Sequence, residues 1–375
     1  VLELFEKYKI TRPVRLIELF AGYGSQALAL ERLGVNFEHH QVVEFDKYAI
    51  KTYNALHNTN FETQDITQIK ELDIEDPYKY EYILTYSFPC TDLSLAGKRG
   101  GMSKGSGTSS GLLWEVERLL LESKNLPHVL IMENVPAIHS VKFNDQFRLW
   151  QDFLARLGYN NQWQDLNAKD YGIPQNRVRT FMVSILGNYE YHFPKPFELK
   201  SKLKDLLDDD VDERYFLSDK AIKTLSDMKN RNGYIRGLKF KPFEPPYDVV
   251  AATVTTRSGQ RPPDNYLIIP EATNLGYAKA YDGDGIYINR PHQKRGVVQK
   301  GMIQTLTTSY NDFGVVTSDL KIRKLTPRET FRLMGLYDKD IDKIIDVNSN
   351  AQLYKQAGNS IVVNVLEHLF GELFI

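Results

Sequence analysis

The chain holds one cysteine in 375 residues, Cys90, which excludes an internal disulfide framework. Its eight histidines are scattered without the spacing that metal ligands keep, so no metal site is expected. No apolar run approaches the ~20 residues needed to span a bilayer. The residues Val1-Leu2-Glu3-Leu4-Phe5-Glu6-Lys7 lack a signal-peptide pattern, and the expectation is a cytoplasmic protein without a membrane partner. Neither sign of charge is in excess: 47 Lys+Arg face 48 Asp+Glu, for a net charge of −1. The strongly basic balance that usually marks a nucleic-acid binder is absent as a bulk property.

What is present is an ordinary globular composition, 42% hydrophobic and 25% charged, in a chain long enough for about two domains. Charge is placed locally. Between Asn289 and Lys324, Arg290, Lys294, Arg295, Lys300, Lys321, Arg323 and Lys324 face only Asp312 and Asp319. The acidic run from Lys204 to Glu213, with Asp205 and Asp208 to Asp210, reads as a solvated surface.

Cys90 closes Ser87-Phe88-Pro89-Cys90, directly after the apolar run Tyr82-Ile83-Leu84-Thr85-Tyr86. That run reads as a short buried strand. A lone cysteine is commonly a small buried hydrophobe, but here proline ends the strand and a glycine-rich polar loop follows from Ala96 to Gly111. The thiol is thus expected at a strand's end, where an α/β sheet presents its chemistry. The loop, with Lys98, Arg99 and Lys104, reads either as a surface loop or as a lid over phosphates.

Other strand ends repeat the pattern. Val14-Arg15-Leu16-Ile17-Glu18-Leu19-Phe20 runs into Ala21-Gly22-Tyr23-Gly24-Ser25 and then a helical stretch from Gln26 to Leu33, a turn whose glycines let backbone amides approach a ligand. No glycine stands three residues after Gly24, so the full dinucleotide fingerprint is missing. Gln41-Val42-Val43 ends at Glu44-Phe45-Asp46, a carboxylate for ribose hydroxyls beside a ring that can stack on a purine, or a surface acid beside a core phenylalanine. Asp65-Ile66-Thr67 offers an acceptor or simply a helix cap. Leu126 to Met132 is an apolar strand followed by Glu133-Asn134-Val135, where burial should raise the glutamate's pKa. In Gln175-Asn176-Arg177-Val178-Arg179 the two arginines share one face of an extended chain. Lys324-Leu325-Thr326-Pro327-Arg328-Glu329 opens a helix with a capping box. Gln356-Ala357-Gly358-Asn359-Ser360 precedes an apolar helix from Ile361 to Phe370, with Asn359 or Ser360 as its cap.

These blocks, in this order, resemble the cytosine-5 DNA methyltransferases of bacteria and phages over nearly the whole chain except a stretch around 190 to 320. The resemblance implies a Rossmann-like α/β domain that uses S-adenosyl-L-methionine and releases S-adenosyl-L-homocysteine, with a mostly parallel sheet, plus a smaller β-rich target recognition domain. It implies residues 1–189 and 337–375 for the discontinuous catalytic domain and 190–336 for recognition and the joint. Cys90 becomes the nucleophile that adds to C6 of a flipped-out cytosine, Glu133 the group on N3 and the exocyclic amine, and Arg179, with Arg177, the neighbour of base and thiol. Glu44 falls on the ribose, Phe45 on adenine and Asp65 on its amino group. Phe20, Gly22, Gly24, Pro89, Asn359 and Ser360 complete the cofactor pocket.

Within 190 to 320 the resemblance favours Thr305 and Leu306 for recognition, and polar side chains such as Arg257, Gln260, Arg261, Tyr310 and Asn311 suit base contacts. Lys98 and Arg99 would touch phosphates. The chain departs from relatives at Ser25, where they carry Gly, and at Ser109, where they carry Arg. The implied partners are double-stranded DNA and a cognate restriction endonuclease, with the protein a nucleoid-associated monomer. A tRNA cytosine methyltransferase and a non-catalytic DNA- or cofactor-binding regulator are the competing readings.

Overall fold

A computed structural model describes residues 6–90, 92–93, 101–218, 221, 266–289, 295–319 and 321–374. The apolar runs form the centre of a six-stranded sheet. Its strands are β1 (Val14–Leu19), β2 (Phe37–Val43), β3 (Glu81–Tyr86), β4 (Val129–Asn134), β5 (Tyr159–Asn167) and β6 (Val178–Leu186). Every residue of β3 and β4 is buried, because helices cover both faces of the sheet. Neighbouring residues divide between those faces with a period of two. Leu16, Ile83 and Ile131 join one core with the C-terminal helix, whereas Ile17, Leu84 and Leu130 join the other with Phe147 and Trp150.

Helices α1 (Ser25–Arg32), α2 (Lys47–His57) and α3 (Leu113–Glu122) connect β1 to β2, β2 to β3 and β3 to β4. Such crossovers make these strands parallel, in the order β2-β1-β3-β4-β6-β5. The helix α4 (Asn144–Arg156) follows β4, and β5 and β6 close the sheet antiparallel. The chain leaves β1 for one neighbour, β2, and returns across it to the other, β3. The order therefore reverses at β1, and a crevice opens beyond the carboxyl ends of β1 and β3.

The strands run further than their apolar cores suggest: β2 starts at Phe37, β4 includes Glu133 and Asn134, and β6 includes Arg179. Pairing carries them on, since Glu133 and Asn134 register with Phe181 and Thr180. The capping box forms as expected at α5 (Pro327–Arg332), with Thr326 and Glu329 exchanging bonds. The C-terminal turn differs. Asn359 ends the helix α7 (Asn350–Asn359), which follows α6 (Asp338–Ile344), and Ser360 caps its C-terminus. The last helix, α8 (Val363–Phe374), begins only after Ile361 and Val362, so neither Asn359 nor Ser360 caps it.

α8 packs on α1, and Ile10 N–H donates to the Leu373 carbonyl at 2.8 Å, so the first and last segments are neighbours. The large core does not stop at position 190: Ile303, Leu306, Phe313, Val315, Leu325 and Phe331 belong to it. Ile303–Gln304 pairs in parallel with Gln175–Asn176. A separate, smaller core of Leu267, Ile269, Ala280, Ile286, Val297, Val316 and Ile322 lies under a hairpin and a four-stranded antiparallel sheet. Among the described residues no helix is long and apolar enough to cross a membrane.

Candidate active site

The turn after β1 carries three left-handed residues, Phe20 (φ 59°), Gly22 (φ 59°) and Gly24 (φ 82°). At Gly24 a side chain is excluded twice over, by its φ and because a Cβ would stand 2.4 Å from His57 Nε2 and 2.6 Å from the Tyr53 ring. Glu44, at the end of β2, accepts from the Gly22 amide (2.8 Å) and from the Asp46 amide (2.7 Å). One carboxylate thus ties two strand ends together. Burial raises its pKa, and those amides oppose the rise. Beside it Phe45 is 76% exposed, an apolar ring presented to solvent. Asp65 caps a short 3-10 turn, and both of its bonds, from Thr67 N–H and O–H, fall on Oδ1.

After β3, Asn134 Nδ2 donates to the Phe88 carbonyl (3.0 Å) and Ser110 Oγ to the Pro89 carbonyl (2.7 Å). Two buried side chains therefore hold the turn that presents Cys90. Burial, and then the Glu133 carboxylate, push the thiol's pKa up; Arg179 and Arg177 pull the other way. Glu133 is itself buried, its pKa raised by burial against the pull of Arg179, whose Nε lies 3.1 Å from Oε1. Thiol, carboxyl and guanidinium form one coupled group at adjacent strand ends.

Arg177 does something different from Arg179. It is 3% exposed and donates to the carbonyls of Leu306 (3.0 Å), Gly358 (2.9 Å) and Ser360 (2.6 Å). Burial and Arg179 lower its pKa to about 9, so it remains a cation at neutral pH. Its fork joins three chain segments while its charge still acts on Glu133 and Cys90.

All the residues expected around the cofactor except Gly24 and all those expected around the base line one cavity of about 720 Å³, with Asn359 and Ser360 on its wall. Gly24 sits behind it as the cap position of α1. The cavity size suits a small-molecule site. Its carboxylates at Glu44 and Asp65, the exposed Phe45 ring and the close backbone approach at Gly22 fit a ligand with hydroxyls, an amino group and a flat ring.

The DNA-facing expectations fare unevenly. Lys98, Arg99, Arg257, Gln260 and Arg261 lie outside the described residues. Leu306 is 2% exposed inside the large core, so its side chain is packing and its backbone is what Arg177 holds. Thr305 turns its hydroxyl inward to the Asn176 carbonyl (2.7 Å). Tyr310 is 42% exposed and stacks on Tyr354.

Several residues with a part in the site escaped sequence reasoning. Gln175 is fully buried, donates to the Leu333 carbonyl and accepts from the Leu306 amide. Asn134, Ser110, Lys355 and Gln356 are others. The available signals were adjacency to expected site residues: Asn134 follows Glu133, Gln175 opens the block that holds Arg177 and Arg179, and Gln356 opens the one that holds Asn359 and Ser360. At the departure Ser25 the hydroxyl meets that of Ser360 at 2.6 Å and joins the N- and C-terminal segments. Ser109 lines the cavity, while its neighbour Ser110 makes the buried bonds.

The family model described as C-5 cytosine-specific DNA methylase matches residues 14–374. The chain is 33% identical to the Type II methyltransferase M2.ScrFI of Lactococcus lactis subsp. cremoris, over 96% of this chain and 99% of that protein. It is also 33% identical to the Type II methyltransferase M.HhaI of Haemophilus parahaemolyticus, over 95% and 93%. Among solved structures, the Entamoeba histolytica methyltransferase EhMeth superposes with a TM-score of 0.62 at 18% identity, over 97% of this chain and 98% of that one.

Proposed function

Since the chain belongs to the C-5 cytosine-specific DNA methylases, S-adenosylmethionine-dependent enzymes of DNA methylation, we propose that it methylates C5 of a cytosine flipped out of a specific duplex sequence, through a covalent Cys90 adduct at C6. The observation that carries this reading is the union of Cys90, Glu133 and Arg179 with the Glu44–Phe45 pair in a single cavity. A cytosine inside a duplex cannot reach that thiol, and extrusion costs a few kcal/mol of unstacking.

When bound against Glu44, Phe45 and Asp65, S-adenosylmethionine supplies an electrophilic methyl group to C5. The Cys90 thiolate forms the bond to C6 while N3 takes the proton held by Glu133, and the ring becomes an enamine nucleophilic at C5. The upward shift of Glu133 favours the protonated form this step needs, and a Glu133 that holds its proton does not oppose ionisation of the thiol beside it. Afterwards a base removes the C5 proton, the electron pair restores the C5–C6 double bond, and the Cys90 thiolate leaves as N3 returns its proton. Arg179 neutralises the carboxylate between these events.

Base reading falls to the segment around 190 to 320, part of which packs in a small core of its own while the reacting groups lie outside the segment. Double-stranded DNA is the partner this reading requires; the Type II names of two relatives support a cognate endonuclease beside it. Cys90→Ser should reduce methyl transfer to unmethylated duplex DNA below about one thousandth of wild type while duplex binding persists, because a hydroxyl is a far poorer nucleophile than a thiolate. Radiolabelled methyl transfer with bisulfite sequencing measures this, and a near-normal rate in the variant refutes the mechanism.

A further inference from the structure

Behind the cofactor turn, outside the cavity, Glu31 of α1, His39 of β2 and His57 at the end of α2 bring one donor atom each to within 4.8 Å of one another. Sequence spacing hides them because three separate elements supply them. We propose that these residues form a binding site for a borderline divalent ion of the Zn²⁺, Co²⁺ or Ni²⁺ class. Two imidazoles and a carboxylate are the donor set this class prefers.

The partners of the two rings are the independent support. His57 Nε2 lies 3.1 Å from the Tyr23 carbonyl, which can only accept, so Nε2 carries the proton. Its Nδ1 then faces Glu31 Oε1 at 2.8 Å. His39 is arranged in the same way. Tyr53 donates its hydroxyl proton to Glu18 at 2.5 Å, so its oxygen accepts from His39 Nδ1 at 2.7 Å. That leaves His39 Nε2 directed at the same Glu31 oxygen, 3.9 Å away. Both rings thus turn an electron pair toward a carboxylate, which a cation between them would satisfy.

A ring N–H given to a carbonyl, or to a phenol oxygen itself tied to a carboxylate, is the outer support that orients histidine ligands. A proton on His57 Nδ1 would answer one of these pairs but not the second. The His57 side chain is fully enclosed, that of His39 is 18% exposed and that of Glu31 37%, so the open side of the site faces solvent through the carboxylate. Contraction to metal bonds of about 2.0–2.2 Å asks only for movement of that exposed side chain and small ring rotations. Lys343 acts on Glu31 from outside the triad and opposes a dication, setting its affinity below that of an isolated triad.

The test is a titration of chelator-stripped full-length protein with Co²⁺, followed by visible d–d absorption, and with Zn²⁺ by calorimetry. One equivalent should bind without a sulfur-to-metal charge-transfer band. Glu31→Gln and His39→Gln should each weaken binding at least about 10-fold. His57→Gln removes the support of Tyr23 and is liable to unfold the turn, so the decision rests on the other two variants, each checked for a native thermal transition. Absence of saturable binding, affinities unchanged in both variants, or a thiolate band assigning the ion to Cys90 would each overturn the proposal.

Discussion

Glu18 is the penultimate residue of β1, with no exposed surface, its Oε2 accepting from Tyr53 and its Oε1 without a partner. Burial lifts its pKa from 4.5 to about 7, with Tyr53 opposing. A folded-state pKa above the unfolded one means stability that is complete below about pH 4.5 and lost as pH rises through 7. The difference corresponds to about 3 kcal/mol. Glu18→Gln should remove that loss, so the wild type minus variant stability should fall by about this amount between pH 4.5 and 8 in denaturant titrations. A difference that does not change with pH would show that Glu18 titrates alike in both states. The placement of single residues was legible where a polar side chain ends an apolar run, as at Cys90, Glu133 and Glu44, which line one cavity. It was illegible for Glu18, which sits inside such a run and whose partner, Tyr53, arrives from another element.

At the scale of elements, the site depends on how strand ends and turns are tied together, and Arg177 is the clearest case. Its three carbonyl bonds reach Leu306, Gly358 and Ser360. A lysine keeps the charge but not the planar fork. Arg177→Lys should therefore leave buried carbonyls unpaired and destabilise the protein by about 2–4 kcal/mol, with a lower methylation rate because the wall of the cavity shifts. Denaturant midpoints and single-turnover rates measure both effects, and a variant within about 0.5 kcal/mol of wild type would contradict the assignment. The element pattern of the sheet could be read from continuous apolar runs separated by helical stretches. The ties could not, because Gln175 finds Leu306 and Leu333 more than a hundred residues away and its motif does not name those partners. The same distance explains Ser360, which looked like the cap of the last helix but ends the preceding one and meets Ser25 across the fold.

For the whole molecule the claim is a division of labour between a rigid chemical body and a segment that reads sequence. Both cores draw on the chain near the end of that segment: Ile303, Leu306, Phe313 and Val315 join the large one, Val316 and Ile322 the small one. Exchanging residues 190–320 for those of a relative should transfer the methylated site while turnover survives, as bisulfite sequencing would report. Retention of the original site by an active chimera would move recognition elsewhere. The overall architecture was legible because helices and buried strands alternate along the first half of the chain. The boundary was not, because its apolar residues carry no sign of which core they join. The most direct test of the central claim is a duplex bearing 5-fluorocytosine at the target, incubated with the protein and S-adenosylmethionine and mapped by peptide mass spectrometry. Fluorine cannot leave C5 as a proton does, so a methylated adduct should accumulate on Cys90. Failure to trap any adduct, or an adduct on another residue, with ordinary cytosine still turned over, would contradict the account.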